Sequence, residues 1–397
     1  MKIRITRKIP LYVAFFCITL SWTDFCIDKG IQDTLEYIGL FLILYGIYFR
    51  KYSKRDIKKI GLLVIVMFFF SIGLFLQQLE YTQKIKMILS MFILASIAIM
   101  PCKYINKFDV YLGIEKSIIA GLIISVLLSI TTGNSLFTTA SEGIIVKYGF
   151  NAGIEHRNYF AYILLSLFFV EYIRYRLNLY YKKINLVIII IFILSTNSRS
   201  CILILILFLV ISNINKIKVS KYKRNIIFFT IIILVGLAGY PIFKVFENTS
   251  ETFFFRVNGL YNYIKKFGSN INYILFGNLK IAYGFSNMTY DENIRNIIGW
   301  NGSTELVIFN VLIKNGLLGF VGYIIIFKEY FGEAFRLHNY KIKTITVAIV
   351  ICFLVSAFVE SYVANVNHLF TVFMYILLCN IYKIDNNIQK YKEGERR

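Results

Sequence analysis

Residues 183–213 read KINLVIIIIFILSTNSRSCILILILFLVISN, and the way this stretch divides decides the fold. Two aliphatic runs, 184–195 and 201–213, flank Thr196, Asn197, Ser198, Arg199 and Ser200. As one helix the stretch would cross a bilayer easily, since a span needs about 20 mostly apolar residues. As two, each run covers only about 18–20 Å of a hydrocarbon core about 30 Å thick. The single helix would place Lys216, Lys218, Lys221, Lys223 and Arg224 outside, together with the basic C-terminal tail. Lysine and arginine concentrate on the cytoplasmic side of membrane proteins, so charge selects two short helices. Their connecting turn is then sunk below the outer surface, with Arg199 at the floor of an outward-facing cavity. Polar groups at that depth are tolerated only where protein or a wet cavity surrounds them.

Outward from this stretch, apolar runs recur along all 397 residues, of which 57% are hydrophobic, with a mean hydropathy of +0.64. A soluble domain with a polar surface does not carry that composition. The pattern predicts an all-α, polytopic membrane protein forming a single membrane domain over 1–397. About 12 spans are expected, near 9–26, 31–49, 60–77, 85–101, 110–131, 158–175, 184–195, 201–213, 226–246, 304–327, 344–359 and 367–382. Residues 247–303 form one long extracytoplasmic loop between the ninth and tenth spans. The loops 1–8, 50–59, 102–109, 174–183, 214–225, 328–343 and 383–397 hold 30 of the 44 basic residues, which places both termini in the cytoplasm. The net charge of +22 thus belongs to loops that meet an anionic leaflet, and no nucleic-acid partner is implied. The first apolar run is followed by Trp22-Thr23-Asp24 instead of a small-residue cleavage site, and reads as a retained span. In the long loop, Phe253, Val257, Leu260, Ile264 and Phe267 recur at helical spacing. This pattern describes either a helix lying in the outer leaflet or one packed on the tops of other spans.

The sequence contains no GxxxxGK[ST] loop, GxGxxG, HExxH or paired DxD acids. Its six cysteines include no CxxC pair, its three histidines are not at ligand spacing, and no metal or cofactor is called for. The longest internal cytoplasmic loop, 328–343, is too small for a nucleotide site. Chemistry is therefore expected at the outer face or within the membrane, on a substrate that arrives already activated. Polar residues gather there as Glu155-His156-Arg157-Asn158, as Thr196 to Ser200, and as Arg256 with Asn301 and Glu305 at the two ends of the long loop. Three arginines facing one vestibule suit a pyrophosphate, whose oxygens they bind in bidentate geometry while staying charged. Lys314 and Asn310 fall inside the tenth span, where a lysine needs a cavity or a partner. Glu360 and His368 bracket the short outer turn between the last two spans, where an ordinary polar turn is the simpler reading.

These clusters, in this order, resemble the O-antigen polymerase and O-antigen ligase family of bacterial envelope enzymes. The resemblance is carried by Ala152 to Ala161, the Thr196-Asn197-Ser198-Arg199 turn, Arg256, Leu275-Phe276-Gly277, and Glu305-Leu306-Val307 running into Asn315-Gly316-Leu317-Leu318-Gly319. It covers roughly 145–325 and implies a glycosyltransferase that uses a polyprenyl-pyrophosphate-linked sugar donor, embedded in the bacterial cytoplasmic membrane. It further implies a lipid-linked oligosaccharide as substrate, with a chain-length regulator and a flippase as pathway partners. Glu305, His156 and Arg199 are the expected catalytic residues. Arg157, Asn158, Arg256, Asn301, Ser198 and Lys314 are the expected substrate-binding ones. Many family members carry a histidine where this chain has Glu305, but a carboxylate can also accept a proton from a sugar hydroxyl. That departure favours a polymerase of O-antigen or capsule type over a ligase-type glycan transferase. The other alternative, a non-catalytic flippase for lipid-linked oligosaccharide, needs charge along a path through the membrane, whereas here the polar residues concentrate at the outer end.

Overall fold

The computed structural model describes residues 8–49, 52–77, 81–105, 107–142, 145–179, 182–213, 251–278 and 306–394. In chain order these form α1 (Ile9–Ser21), α2 (Asp24–Asp28), α3 (Gln32–Tyr48), α4 (Lys54–Leu76), α5 (Tyr81–Ile99), α6 (Asp109–Thr132), strands β1 (Phe137–Glu142) and β2 (Ile145–Phe150), α7 (Arg157–Leu177), α8 (Lys183–Ser195) and α9 (Arg199–Asn213). They continue as α10 (Glu251–Phe267), α11 (Ile271–Phe276), α12 (Val307–Arg336), α13 (Tyr340–Ser356), a 3-10 turn at Tyr362–Ala364, and α14 (Leu369–Gly394). The protein is mostly helical. Lys54–Leu76, Tyr81–Ile99, Asp109–Thr132 and Val307–Arg336 are long and apolar enough to cross a membrane. Ile9–Ser21, Lys183–Ser195 and Arg199–Asn213 are shorter apolar helices. Eleven of the twelve expected spans contain a helix, and the other, 226–246, lies outside the described residues.

Helices α7 and α14 are the centre of the bundle. Every residue from Phe160 to Ile173 is buried, as are Leu369 to Ile381. A helix apolar on all its faces must be wrapped by other helices, and α1, α5, α6, α9, α12 and α13 supply that wrapping around this pair. Tyrosine hydroxyls tie the layers at buried backbone carbonyls: Tyr330 donates to Ala98, Tyr375 to Val363 (2.7 Å) and Tyr111 to Ile376 (3.4 Å). At one end of the bundle Lys59 is buried between Glu329 (2.8 Å) and Glu333 (3.1 Å), which joins α4 to α12.

The division of 183–213 into two helices is confirmed. Asn197 adopts the left-handed conformation (φ 55°) between α8 and α9, and Thr196 Oγ1 accepts the Ser198 N–H at 3.2 Å. Two expectations need correction. The fold is not purely α, because residues 137–142 and 145–150 pair as antiparallel strands in which Phe137 faces Phe150. Phe150 anchors the hairpin by packing on Phe160 of α7 and Phe192 of α8. The helix expected in the long loop exists as α10, but its packed face is rotated from the one the spacing suggests. Tyr263 is fully buried against Phe309 of α12, with Leu260 and Phe267 beside it, while Ile264 is exposed. Of the two readings of this helix, packing on another helix is the one observed.

Helix α12 is broken at Gly316 (φ 65°, ψ −166°), a conformation open only to glycine. The break admits the segment after α11. The Asn278 N–H donates to the Ile313 carbonyl at 2.8 Å, and the Asn315 side-chain amide donates to the Phe70 carbonyl at 2.8 Å. A Cβ on Gly316 would overlap the Leu275 carbonyl group. The motifs Leu275-Phe276-Gly277 and Asn315-Gly316 are thus the two halves of one backbone junction. Gly316→Ala is expected to destabilise the protein by about 1–3 kcal/mol from strain alone. Gly332→Ala, also in α12 but with open space around the added methyl, should be neutral or stabilising by up to about 1 kcal/mol. Thermal unfolding in detergent compares the two directly.

Candidate functional site

At the end of the bundle opposite Lys59, the first turns of α7 and α9 meet the segment after α13. His156 caps α7, its Nδ1 accepting the Asn158 N–H at 3.1 Å. A neutral imidazole bonded in this way carries its proton on Nε2 and presents a donor to the outside. The Asn158 side-chain amide donates to Glu360 Oε1 at 3.1 Å, and Ser200 Oγ donates to the same oxygen at 3.1 Å. Ser198 Oγ lies 3.4 Å from Ser200 Oγ and extends the chain of hydroxyls. One buried carboxylate oxygen therefore holds together the N-termini of two helices, whose dipoles both present their positive ends to it.

Beside this hub, the Arg157 side chain runs under the hairpin. A Cβ on Gly149 would overlap both the Thr196 carbonyl and Arg157 Cδ, so the absence of a side chain there lets the arginine shaft pass. Arg157 Nη1 is completely buried with no hydrogen-bond partner among the described residues. A buried guanidinium nitrogen with nothing to donate to is costly, and an anionic ligand relieves that cost. Behind Asn158, the Tyr159 ring sits against Trp22 (4.5 Å between centroids) and His368 (4.8 Å), while His368 stacks on Tyr362 at 4.1 Å. His368 Nδ1 accepts the Phe370 N–H at 3.2 Å, and its Nε2 is buried without a hydrogen-bond partner among the described residues. Trp22 in turn donates its indole N–H to the Asn367 carbonyl at 2.8 Å, which locks α1 to the start of α14. Glu155, next in line, has its carboxyl held above the usual range by partial desolvation and then by the charge of Asp24.

Among the expected site residues, His156, Arg157, Asn158, Ser198 and Arg199 come to one end and one neighbourhood. The recessed part of the 196–200 turn differs from expectation. Thr196 and Ser198 are buried, whereas Arg199, the first residue of α9, is exposed. The two hydroxyls, with their short side chains, fill the inward positions, and the guanidinium extends outward. Arg256 lies on α10, and nothing is described of its side chain. Asn301 and Glu305 lie outside the described residues. Lys314 is half-buried two residues before the break in α12. The entry of α12 itself reaches the hub, since the Val307 N–H donates to the Ala357 carbonyl at 3.2 Å.

Glu360 is the residue that sequence reasoning undervalued. Its signal was present, because an acid in a short turn between apolar helices is either solvated or paired, and here it is paired with side chains more than 150 positions away. No family model matches the chain, and no curated protein matches it in sequence comparison. Glu360→Ala would leave two polar side chains without their acceptor, at a cost of about 1–3 kcal/mol each. Glu360→Gln keeps an oxygen at that position and should cost less than half as much. Thermal unfolding of the two variants at neutral pH is the measurement, and unchanged unfolding of Glu360→Ala would mean the hub contributes no structural stability.

Proposed function

We propose that the protein is a polysaccharide polymerase of the outer face of the bacterial cytoplasmic membrane, transferring a growing glycan from its polyprenyl pyrophosphate onto a lipid-linked repeat unit. In this reading the chain crosses the membrane about twelve times with both termini cytoplasmic, and the Glu360 hub opens outward. The observation that carries the proposal is the buried, unpartnered Arg157 Nη1 beside two converging helix N-termini, an arrangement suited to an anion with several oxygens. The resemblance of the flanking motifs to O-antigen polymerases and ligases supplies the substrate class.

In the reaction the bond between the sugar's anomeric carbon and the pyrophosphate oxygen breaks, and a hydroxyl of the acceptor sugar forms the new glycosidic bond. The acceptor hydroxyl loses its proton, and polyprenyl pyrophosphate leaves with the bonding electron pair. Arg157 and Arg199, with Arg256 from the loop, stabilise the charge that develops on the leaving group, where complementarity to the transition state counts most. His156, with its proton on Nε2, adds a donor to the same anion in place of the basic role expected from sequence. The proton acceptor is then a carboxylate, either Glu360 in the hub or Glu305 at the approach to α12.

Purified protein in nanodiscs, supplied with its lipid-linked repeat unit, should build a ladder of longer glycans. Arg157→Lys and Arg199→Ala should each slow ladder growth by about 10²–10³-fold, the loss seen when one preorganised donor to a developing charge is removed. Lysine does not restore the lost donors, because its ammonium lacks the planar fork. No ladder from the wild-type protein, or ladders unchanged in both variants, would sink the proposal. A single transfer to a different acceptor would reassign the protein to the ligase type.

A further inference from the structure

The opposite end of the bundle holds a cavity of about 410 Å³ between the start of α4, the end of α12 and α14. Four basic side chains line it, Lys54, Arg55, Lys58 and Arg336, against two acidic ones, Glu333 and Asp385. Both acids are already engaged. Glu333 is paired with Arg55 and with Lys59, and Asp385 accepts the backbone N–H groups of His338 (2.8 Å) and Asn339 (3.0 Å). Arg55 is fixed further by lying over the Tyr382 ring at 3.4 Å. Lys54, Lys58 and Arg336 have no carboxylate within ion-pair distance among the described residues, so the cavity lining carries an excess of positive charge. Lys54 and Arg55 open α4, whose N-terminal dipole adds to it.

Exposed apolar side chains follow the basic residues along the same elements. Ile57 on α4, Phe335 on α12 and Tyr340 at the start of α13 lie within two residues in sequence of residues that line the cavity and stand 54–62% exposed. From Ile57 an outward stripe continues along α4 through Val64 and Phe68 to Phe75, all of them more than half exposed. A charged head between Lys54, Lys58 and Arg336, with an apolar body along that stripe, matches both surfaces. This end also carries Lys54, Arg55, Lys58, Lys103, Lys341, Lys343 and Lys383, and the charge pattern assigns such lysine- and arginine-bearing loops to the side with the anionic leaflet.

We propose that this cavity binds a phosphate ester, and that its occupant is the headgroup of an anionic phospholipid of the adjoining leaflet. The site is separate from the Glu360 hub and does not depend on the polymerase reading. In the test, the full chain is placed in nanodiscs of phosphatidylcholine containing a minor fraction of phosphatidylglycerol, and retained lipid is counted by native mass spectrometry. The wild-type protein should retain phosphatidylglycerol selectively. The triple variant Lys54→Gln/Lys58→Gln/Arg336→Gln should bind it about a hundredfold more weakly, as three charges near an anionic surface imply. Equal unfolding temperatures of the two proteins in pure phosphatidylcholine establish that the variant is folded. If it is not folded, Lys58→Gln alone, on an exposed side chain, should show about a fivefold loss. A second arm adds inorganic phosphate. Displacement of the lipid by millimolar phosphate in the wild type but not the variant would identify soluble phosphate as the stronger occupant of the same site. Undiminished phosphatidylglycerol selectivity in the variant would overturn the proposal.

Discussion

Every break in a helix inside an apolar bundle must find hydrogen-bond partners in the protein, because the surrounding medium offers none. The fold depends on how this chain meets that demand at three places. At 196–200 the backbone turns through Asn197 with Thr196 Oγ1 taking the Ser198 N–H. At Gly316 the freed Ile313 carbonyl is taken by the Asn278 N–H, and the Asn315 amide reaches Phe70 on α4. Between α13 and α14, the connecting residues 357–368 contain a short 3-10 turn at Tyr362–Ala364, stabilised by Thr371 and Tyr375 hydroxyls donating to the Tyr362 and Val363 carbonyls. Each satisfied break is also a point where polar groups enter an otherwise hydrocarbon interior, and the candidate site is assembled from the first and third.

The two ends of the bundle handle charge in opposite ways. At the Lys59 end, buried Lys59 and Glu333 lie within reach of each other and of Arg55 and Glu329. Such a network fixes α4 against α12 but offers its buried charges to no ligand, since breaking it would strand an unpaired ion. At the Glu360 end the half-buried cation, Arg157, and the buried anion, Glu360, are not paired with each other. The carboxylate accepts from Asn158 and Ser200, and Arg157 Nη1 has no acceptor among the described residues. A closed network stabilises the fold, whereas charges kept apart in one small volume retain their capacity to act on something that enters.

Much of this was legible in the residues. The repeating apolar runs locate the helices, and the positive charge after residue 213 requires the break at 196–200, which no local propensity announces. The hairpin at 137–150 escaped because its alternation is short and polar, and its hold on the bundle comes from Phe150 meeting Phe160 and Phe192 across the fold. The rotation of α10 toward Tyr263 escaped for a related reason. Helical periodicity identifies a stripe of apolar positions, but the neighbour decides which flank of that stripe is buried. A tyrosine counted as half-polar serves as well as an isoleucine when a carbonyl, here that of Tyr273, lies near its hydroxyl.

Glu360 shows where pattern reading stops for a physical reason. The functional weight of a carboxylate lies in its partners, and the partners of Glu360 come from residues 158 and 200, brought together only after α7, α9 and α13 have packed. The reverse holds for His156, whose sequence context is that of a general base but whose Nδ1 is used to cap its own helix. Capping and base catalysis compete for the same lone pair, and the cap, which satisfies an otherwise orphaned backbone N–H, takes it at rest. The histidine's Nδ1 is spent on its own helix, and the turn glutamate is the acceptor that the side chains of α7 and α9 share.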